Sequence, residues 1–433
     1  MSQISDADEE LIARFQRAAF AYFLEHVNPS NGLVADTSRA NAPASIAVVG
    51  FALSCYPVAV MRGWMARTQA VERTLTTLRF FRQSEQSAAA EATGYKGFYY
   101  HFLDMQSGRR VWDCELSLID STFLLAGMLT ASMFFTDDDP REREIRKLAD
   151  ALYRRVDWRW AQGGATTVRQ GWKADSGFLH YGWEGYSEAS LLYVLGLASP
   201  THPLSPKGYD AWTATYQWEN IYDFEYLYAG PLFIHQYSHA WIDFDGIRDK
   251  FMREKHSDYF QNTCRAIQIQ REYARRNPNE FRGYTADCWG ISANEGPGPK
   301  REVLDSVERR FFGYVARGVP FGPDDGTLAP GVMLGSIAFA PDIVLSTLRV
   351  LCERYPQLTQ QARLPGGFNP TFPDNGPQGW VADGFYGLDQ GLIVVMIENF
   401  RSRLIWQLLR RCRYIAQGLR RAGFRGGWLG QRA

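Results

Sequence analysis

The chain carries no surplus of either charge: Lys and Arg together number 47, and Asp and Glu also 47. That balance argues against the basic footprint of a nucleic-acid-binding protein and against an acidic partner. No CxxC pair occurs. The six cysteines (Cys55, Cys114, Cys264, Cys288, Cys352, Cys412) are scattered, several within apolar runs, as expected of free buried thiols in a reducing compartment. The opening stretch, MSQISDADEELIARFQ, is acidic and amphipathic, with no basic segment leading into an apolar one. It reads as no secretory signal, and a cytoplasmic location is expected. There is no Walker loop, no strand-linked GxGxxG and no GxSxG elbow, and GPGP at 296–299 reads as a rigid turn. His235 and His239 are four apart, but no HExxH pattern or third ligand accompanies them, so no metal or other cofactor is expected. One run, 42–61, is long enough to span a bilayer without a charge, but it contains Pro57 and lacks an aromatic or basic belt on its leading side. The comparable run 116–135 carries Asp120. Both read as inner helices of a large soluble fold, without membrane insertion.

Strand signals are sparse, confined to a hairpin expected at 97–104 and 109–113 around MQSG. Helical periodicity dominates and predicts helices over 7–27, 44–65, 67–85, 116–135, 140–155, 186–197, 247–275, 341–354, 388–400 and 402–421. Nearly uniform apolar segments (44–65, 116–135, 186–197, 388–400) alternate with amphipathic, charged ones (67–85, 140–155, 402–421). Two concentric helical layers produce such an alternation. No solenoid-type repeat and no low-complexity linker interrupts it. The expected architecture is all-α: one (α/α)6 barrel, or toroid, over residues 1–433, with long loops at one end.

Aromatic residues are abundant: 14% of the chain, with 13 Trp, 22 Tyr and 27 Phe. Many stand in loop-like stretches that also hold Gly and acidic residues: 32–38 with Asp36, 97–120 with Trp112, 171–188 with Trp183 and Tyr186, 235–249 with Gln236 and His239, 283–299 with Trp289, and 379–391. Rings at the mouth of a cleft stack on the C–H faces of sugars, and polar groups meet the hydroxyls. Several of these loops run into apolar helices, so their carboxylates should converge on one cleft. Glu188, at the head of 186–197, would share a helix face with Leu191, Leu192 and Leu195. Asp120 would have Leu116, Phe123 and Leu124 as neighbours, and Glu115 stands just before it. Asp389 opens LDQGLIVVMIENF, where an N-cap is an equally ordinary role. A first-turn acid also complements the helix dipole, so each residue alone has a structural reading. Their joint appearance at separate helix heads favours paired-carboxylate chemistry, as in glycoside cleavage. A glutamate among leucines disfavours its ionised form, which suits an acid that must carry a proton near neutral pH.

Nearly the whole chain resembles the glucoamylase-like domain of the β-1,2-glucan-acting glycoside hydrolases, families 144 and 162 and the related domain of cyclic β-1,2-glucan synthases. The resemblance rests on SIAVVGFAL (45–53), FYYHFLD (98–104), ELSLIDSTFLLAG (115–127), GYSEASLLYVLGLASPTHPL (185–204), GPLFIHQYSHAWIDF (230–244), CWGISANEGP (288–297), DGTLAPGVMLGS (325–336) and GLDQGLIVVMIENFRS (387–402), in that order. It implies an (α/α)6 barrel without a metal, hydrolysing β-1,2-linked glucan, with Glu188 as the acid and Asp389 as a candidate base. Glu115 and Asp120 are implied to line the sugar site. Trp112, Tyr186, Trp183, His239, Gln236, Trp289, Asp36 and Arg401 complete the residues expected to bind substrate. The chain departs from the family pattern at Leu392, where D-Q-G-P is expected, and at Ser187, where Asn or Asp is more usual. A glycosyl-transferring relative and a non-catalytic glucan-binding protein remain alternatives. A lyase on a similar toroid finds no support in the charge balance. Carboxylate acid/base catalysis with inversion of configuration is the expected chemistry.

Overall fold

A computed structural model describes residues 4–374 and 376–430. Met1–Gln3 of the acidic opening stretch, Asn375 and Gln431–Ala433 lie outside the described residues. The apolar segments form the innermost helices: Ile46–Met61, Leu118–Phe134, Ser190–Ala198 and Gly387–Arg401, each buried over most of its length. Ile46–Met61 packs between Leu118–Phe134 and Gly387–Arg401, and Leu118–Phe134 touches Ser190–Ala198. The first of these crossings is very close. A Cβ on Gly50 would lie 2.3 Å from the carbonyl oxygen of Phe123, and one on Gly127 would lie 2.1 Å from that of Gly50. Backbones meet directly there because neither helix has a side chain in the way.

The amphipathic helices lie outside. Arg67–Gln83 packs on Pro140–Arg155, Asp6–Glu25 on Gly387–Arg401, and Arg413–Arg421 on Ser190–Ala198. Short 3-10 turns, Leu232–His235 and Tyr237–Ala240, connect Ser190–Ala198 to the short helix Pro330–Gly335, which rests on Gly387–Arg401. Gln236 makes the second join, donating from Nε2 to the Val332 carbonyl (2.9 Å) and to Ser336 Oγ (2.7 Å).

Three predicted helices change. The 186–197 helix begins at Ser190, leaving Glu188 in the turn before it. The Ser238 hydroxyl causes this start: it donates to the Glu188 carbonyl (2.7 Å) and accepts from the Leu191 N–H (3.1 Å). The 247–275 segment divides into Lys250–Glu254 and Tyr259–Arg276, because Asp249 and Asp258 each cap a separate helix start. The 402–421 segment begins at Leu404, after the left-handed Arg403 (φ 59°), and divides into Leu404–Arg410 and Arg413–Arg421 at Cys412, whose backbone is extended (φ −73°, ψ 115°).

The fold is mostly helical but not all-α. A five-stranded antiparallel sheet runs in the order Gly94–Tyr95, Phe98–Tyr100, Leu116–Ser117, Gly171–Lys173, Gly177–Phe178. The expected hairpin is reduced to a single bridge between Leu103 and Arg110. Trp112 and Asp113 both have positive φ (59° and 48°), which turns the chain out of strand geometry and sends Phe98–Tyr100 to Leu116–Ser117 instead. That sheet ties the 94–117 and 171–178 loops together over the ends of the inner helices. No helix among the described residues is long and apolar enough to cross a membrane.

Candidate active site

A cavity of about 330 Å³ opens where the inner helices begin. Asp120 lies in the first turn of Leu118–Phe134, Asp389 in the first turn of Gly387–Arg401, and Glu188 two residues before Ser190–Ala198. All three line the cavity, with Glu115, Glu295, His101, Trp183, Tyr237, Tyr314 and Tyr386 among the remaining walls. The helix starts put partial positive charge near these carboxylates, which favours ionisation. Burial outweighs it at two of them. Glu188 is pushed up to about 7 by burial, with the charge of Asp120 adding to the rise. Asp389 is also pushed up to about 7, by burial and then by Asp36. By surface area both are only half-buried. Protein surrounds them, but the cavity leaves their oxygens reachable.

Asp36 stands behind this wall. Its carbonyl accepts from the Gly387 N–H at 2.8 Å, and Thr37 bridges to Tyr386, so the 32–38 loop is strapped to the start of the helix that carries Asp389. Burial raises Asp36 to about 6, with His101 opposing and Asp120 assisting. Gly331 makes room for Asp389: a Cβ there would sit 2.8 Å from the Asp389 Cβ. Beside the same helix start Glu295 accepts from the Tyr386 hydroxyl at 2.6 Å and pairs with Arg39.

At the base of the cavity Asp120 is held by Ser117, whose Oγ donates to Asp120 Oδ2 and accepts from the Asp120 N–H at 3.2 Å. His101 reaches Glu115 Oε1 from Nδ1 at 2.9 Å and Asp120 Oδ2 from Nε2 at 3.6 Å. Burial pushes His101 down, but Asp120, Glu115 and Asp36 outweigh it and hold the ring up at about 9. Glu115 is lowered: burial works against this, and the hydrogen bond and charge of His101 prevail. One donor atom from each of His101, Glu115 and Asp120 lies within 4.8 Å of the others, near enough to hold an ion.

Of the residues expected from sequence, Glu188, Asp389, Glu115, Asp120 and Trp183 meet at the cavity, and Asp36 couples to it from behind. Six do not reach it. Trp112 is 70% exposed beside Phe102, displaced by the left-handed backbone at 112–113. Tyr186 points away, packed among Tyr216, His235 and Tyr259. His239 is buried between Phe244 and Phe339, with Nε2 3.2 Å from Thr263 Oγ1, and burial lowers it to about 3. Gln236 spends its amide on the inner-helix join described above. Trp289 is 2% exposed and donates from Nε1 to Thr347 Oγ1 at 2.9 Å. Arg401, at the opposite end of its helix from Asp389, bonds Gln16 and pairs with Glu9 in a separate groove with Arg14, Arg17 and Arg62. Aromatic loops mark the mouth in sequence, but a Trp or Tyr in a loop can fill the core as readily as a cleft.

Sequence reasoning did not single out His101, Glu295, Tyr237, Tyr314 or Tyr386. His101, Glu295 and Tyr237 lie in the stretches FYYHFLD, CWGISANEGP and GPLFIHQYSHAWIDF that carry the resemblance, beside more conspicuous residues.

Two carboxyls raised by burial thus line one cavity at the heads of buried inner helices in a mostly helical fold. The Glycoamylase family model ("Putative glucoamylase") matches residues 180–413, a span holding both Glu188 and Asp389, and the chain belongs to that family. It is 25% identical over 461 aligned residues to an exo beta-1,2-glucooligosaccharide sophorohydrolase (non-reducing end) of Parabacteroides distasonis. The match takes in 96% of this chain, which spans 58% of the length of that relative. A Bacteroides uniformis structure described as a "putative glucoamylase" superposes with TM-score 0.85 at 28% identity, covering 99% of this chain and 100% of that one. The endo-beta-1,2-glucanase of Chitinophaga pinensis, solved with sophorotriose and glucose, shares the fold with TM-score 0.84 at 23% identity, over 99% and 100% of the two chains.

Proposed function

We propose that the chain is a glycoside hydrolase acting on β-1,2-linked glucan or its oligosaccharides, with Glu188 as general acid and Asp389 as general base. The observation that carries this reading is the pair itself: two carboxyls on separate inner helices, both raised to about 7, facing one cavity. Glycoside cleavage needs one carboxyl to deliver a proton to the leaving oxygen and another to activate water. Burial keeps protons available at neutral pH, and the half-exposed oxygens leave room for sugar and water. Family membership and the substrates named for the Parabacteroides and Chitinophaga proteins support a β-1,2-linked substrate.

In the same reading the chain is a single (α/α)6 domain, supported by the cycle of inner-helix contacts and the second helical layer around it. No cofactor enters the reaction, and the substrate sits against Glu115, Asp120 and Trp183. The six unpaired thiols support a reducing, cytoplasmic location. The reaction inverts configuration, water attacking from the face opposite the departing oxygen.

The test is product analysis on a panel of β-glucans, with the anomeric configuration followed by NMR during the first turnovers. The expected outcome is α-configured product from β-1,2-glucan and none from β-1,3- or β-1,4-glucan. Binding of β-1,2-glucan without cleavage or transfer would replace this reading with a binding protein.

A further inference from the structure

We propose that His101 is a positioning residue: a charged imidazolium set between Glu115 and Asp120, orienting both as acceptors for sugar hydroxyls in the cavity. This rests on the substrate reading above only for the identity of the ligand. Geometry carries the rest. Nδ1 is 2.9 Å from Glu115 Oε1 and Nε2 is 3.6 Å from Asp120 Oδ2, so each ring nitrogen faces a carboxylate oxygen. A neutral imidazole offers one N–H and one lone pair, and a lone pair aimed at a carboxylate is repelled. A doubly protonated ring makes both contacts attractive: a hydrogen bond to Glu115 and, at 3.6 Å, a longer charge–charge contact with Asp120. A metal at the same three side chains would need a lone pair on His101, so the protonation state of the ring separates the two arrangements.

The surroundings explain why a cation is needed here. Glu115, Asp120, Glu188, Glu295 and Asp389 line the cavity, and among the described residues His101 is the one basic side chain that lines it. The groups facing the ring are Glu115 ahead of the Leu116–Ser117 strand, Asp120 on Leu118–Phe134, and Asp36 on the strapped loop, with Lys173 bearing on Glu115 from the neighbouring strand. On its own segment the ring stacks on Phe102, with centroids 4.0 Å apart and planes 10° from parallel, which limits its rotation. Ser117 donates to the same Asp120 oxygen, Oδ2, that faces the ring. Asp120 is thus held by Ser117 and the ring together, and Glu115 by its hydrogen bond to the ring. Sugar hydroxyls arriving at Glu115 and Asp120 find acceptors already aimed, which lowers the ordering cost of binding.

Two measurements test this. In the wild-type protein, side-chain 15N NMR, with the His101 signal assigned by its loss in His101→Gln, should report two protonated ring nitrogens at pH 7 and proton loss near pH 9. A single protonated nitrogen at pH 7 would overturn the proposal, whatever the protein acts on. The second measurement is kinetic, on β-1,2-linked glucotriose. His101→Gln keeps a hydrogen-bond donor and loses the charge, so KM should rise about tenfold or more with a smaller loss in kcat. That KM should also climb more steeply than the wild type's as pH falls, because Glu115 loses the neighbouring cation that lowers it. His101→Lys restores a cation and should recover part of the affinity and flatten the pH dependence. Losses confined to kcat, or a KM equally raised in His101→Lys, would overturn the positioning role. Absence of wild-type activity on any β-1,2-glucan would instead overturn the substrate reading, and the NMR result would still decide the state of His101. If His101→Gln fails to fold, the wild-type titration and His101→Lys carry the test.

Discussion

Glu188 is the residue at which sequence and structure agree for different reasons. Sequence placed it on a helix face among leucines, and the structure puts it in the preceding turn, enclosed by the walls of a cavity. The raised pKa survives the change because burial, not helicity, causes it. Glu188→Gln keeps the shape and removes the proton donor, so kcat on β-1,2-glucan should fall by roughly 10²–10⁴, while isothermal titration still detects oligosaccharide binding. Trp289 has the opposite outcome. As a ring lining the cleft, its loss would weaken binding; as a buried indole bonded to Thr347, it supports the core. Trp289→Ala should therefore lower unfolding free energy by about 3–5 kcal/mol in denaturant titration. Unchanged stability with weakened sugar binding would return Trp289 to the cleft.

At the scale of elements, the short helix Pro330–Gly335 escaped sequence reading because six residues are too few to establish a period. Yet it sets where Asp389 stands, through the absence of a side chain at Gly331. Gly331→Ala introduces a methyl 2.8 Å from the Asp389 Cβ, so the carboxyl must shift. A displacement near 1 Å at a reacting group costs about 10²-fold. kcat should fall by that order, with the far-UV circular dichroism spectrum unchanged. Wild-type turnover in Gly331→Ala would detach Asp389 from the chemistry. The split segments 247–275 and 402–421 tell a related story. Amphipathic periodicity continues across both breaks, but Asp258 caps a fresh start at Tyr259 and extended backbone at Cys412 (φ −73°, ψ 115°) precedes a fresh start at Arg413.

Over the whole molecule, the site is held at a cost that depends on pH. Glu188 and Asp389 have folded pKa values near 7, against ordinary values of 4.5 and 3.8. Between those limits the folded state binds more protons than the unfolded chain, so stability contributed by these groups falls as pH rises. It is fully present below about 4 and lost once pH passes about 7. Glu188→Gln removes one titrating group, so its Tm should gain on the wild type between pH 5 and pH 8. Melting curves at the two pH values check this, and a difference that stays constant or narrows would contradict the raised Glu188 pKa.

The alternation of uniformly apolar and amphipathic segments determined by itself which helices lie inside, since a helix without a polar face has no stable place at the surface. It also determined that Asp120, Glu188 and Asp389 stand at the heads of buried helices, because each acid precedes or opens an apolar run. Tertiary structure alone decided which partners meet there. His101 faces Glu115 and Asp120 only because Phe98–Tyr100 pairs with Leu116–Ser117, a register settled by the turned backbone at 112–113. Trp183 reaches the cavity while Trp289, Tyr186 and His239 fill the core. An aromatic ring gains from burial on either side of a wall, and only the packed neighbours choose the side.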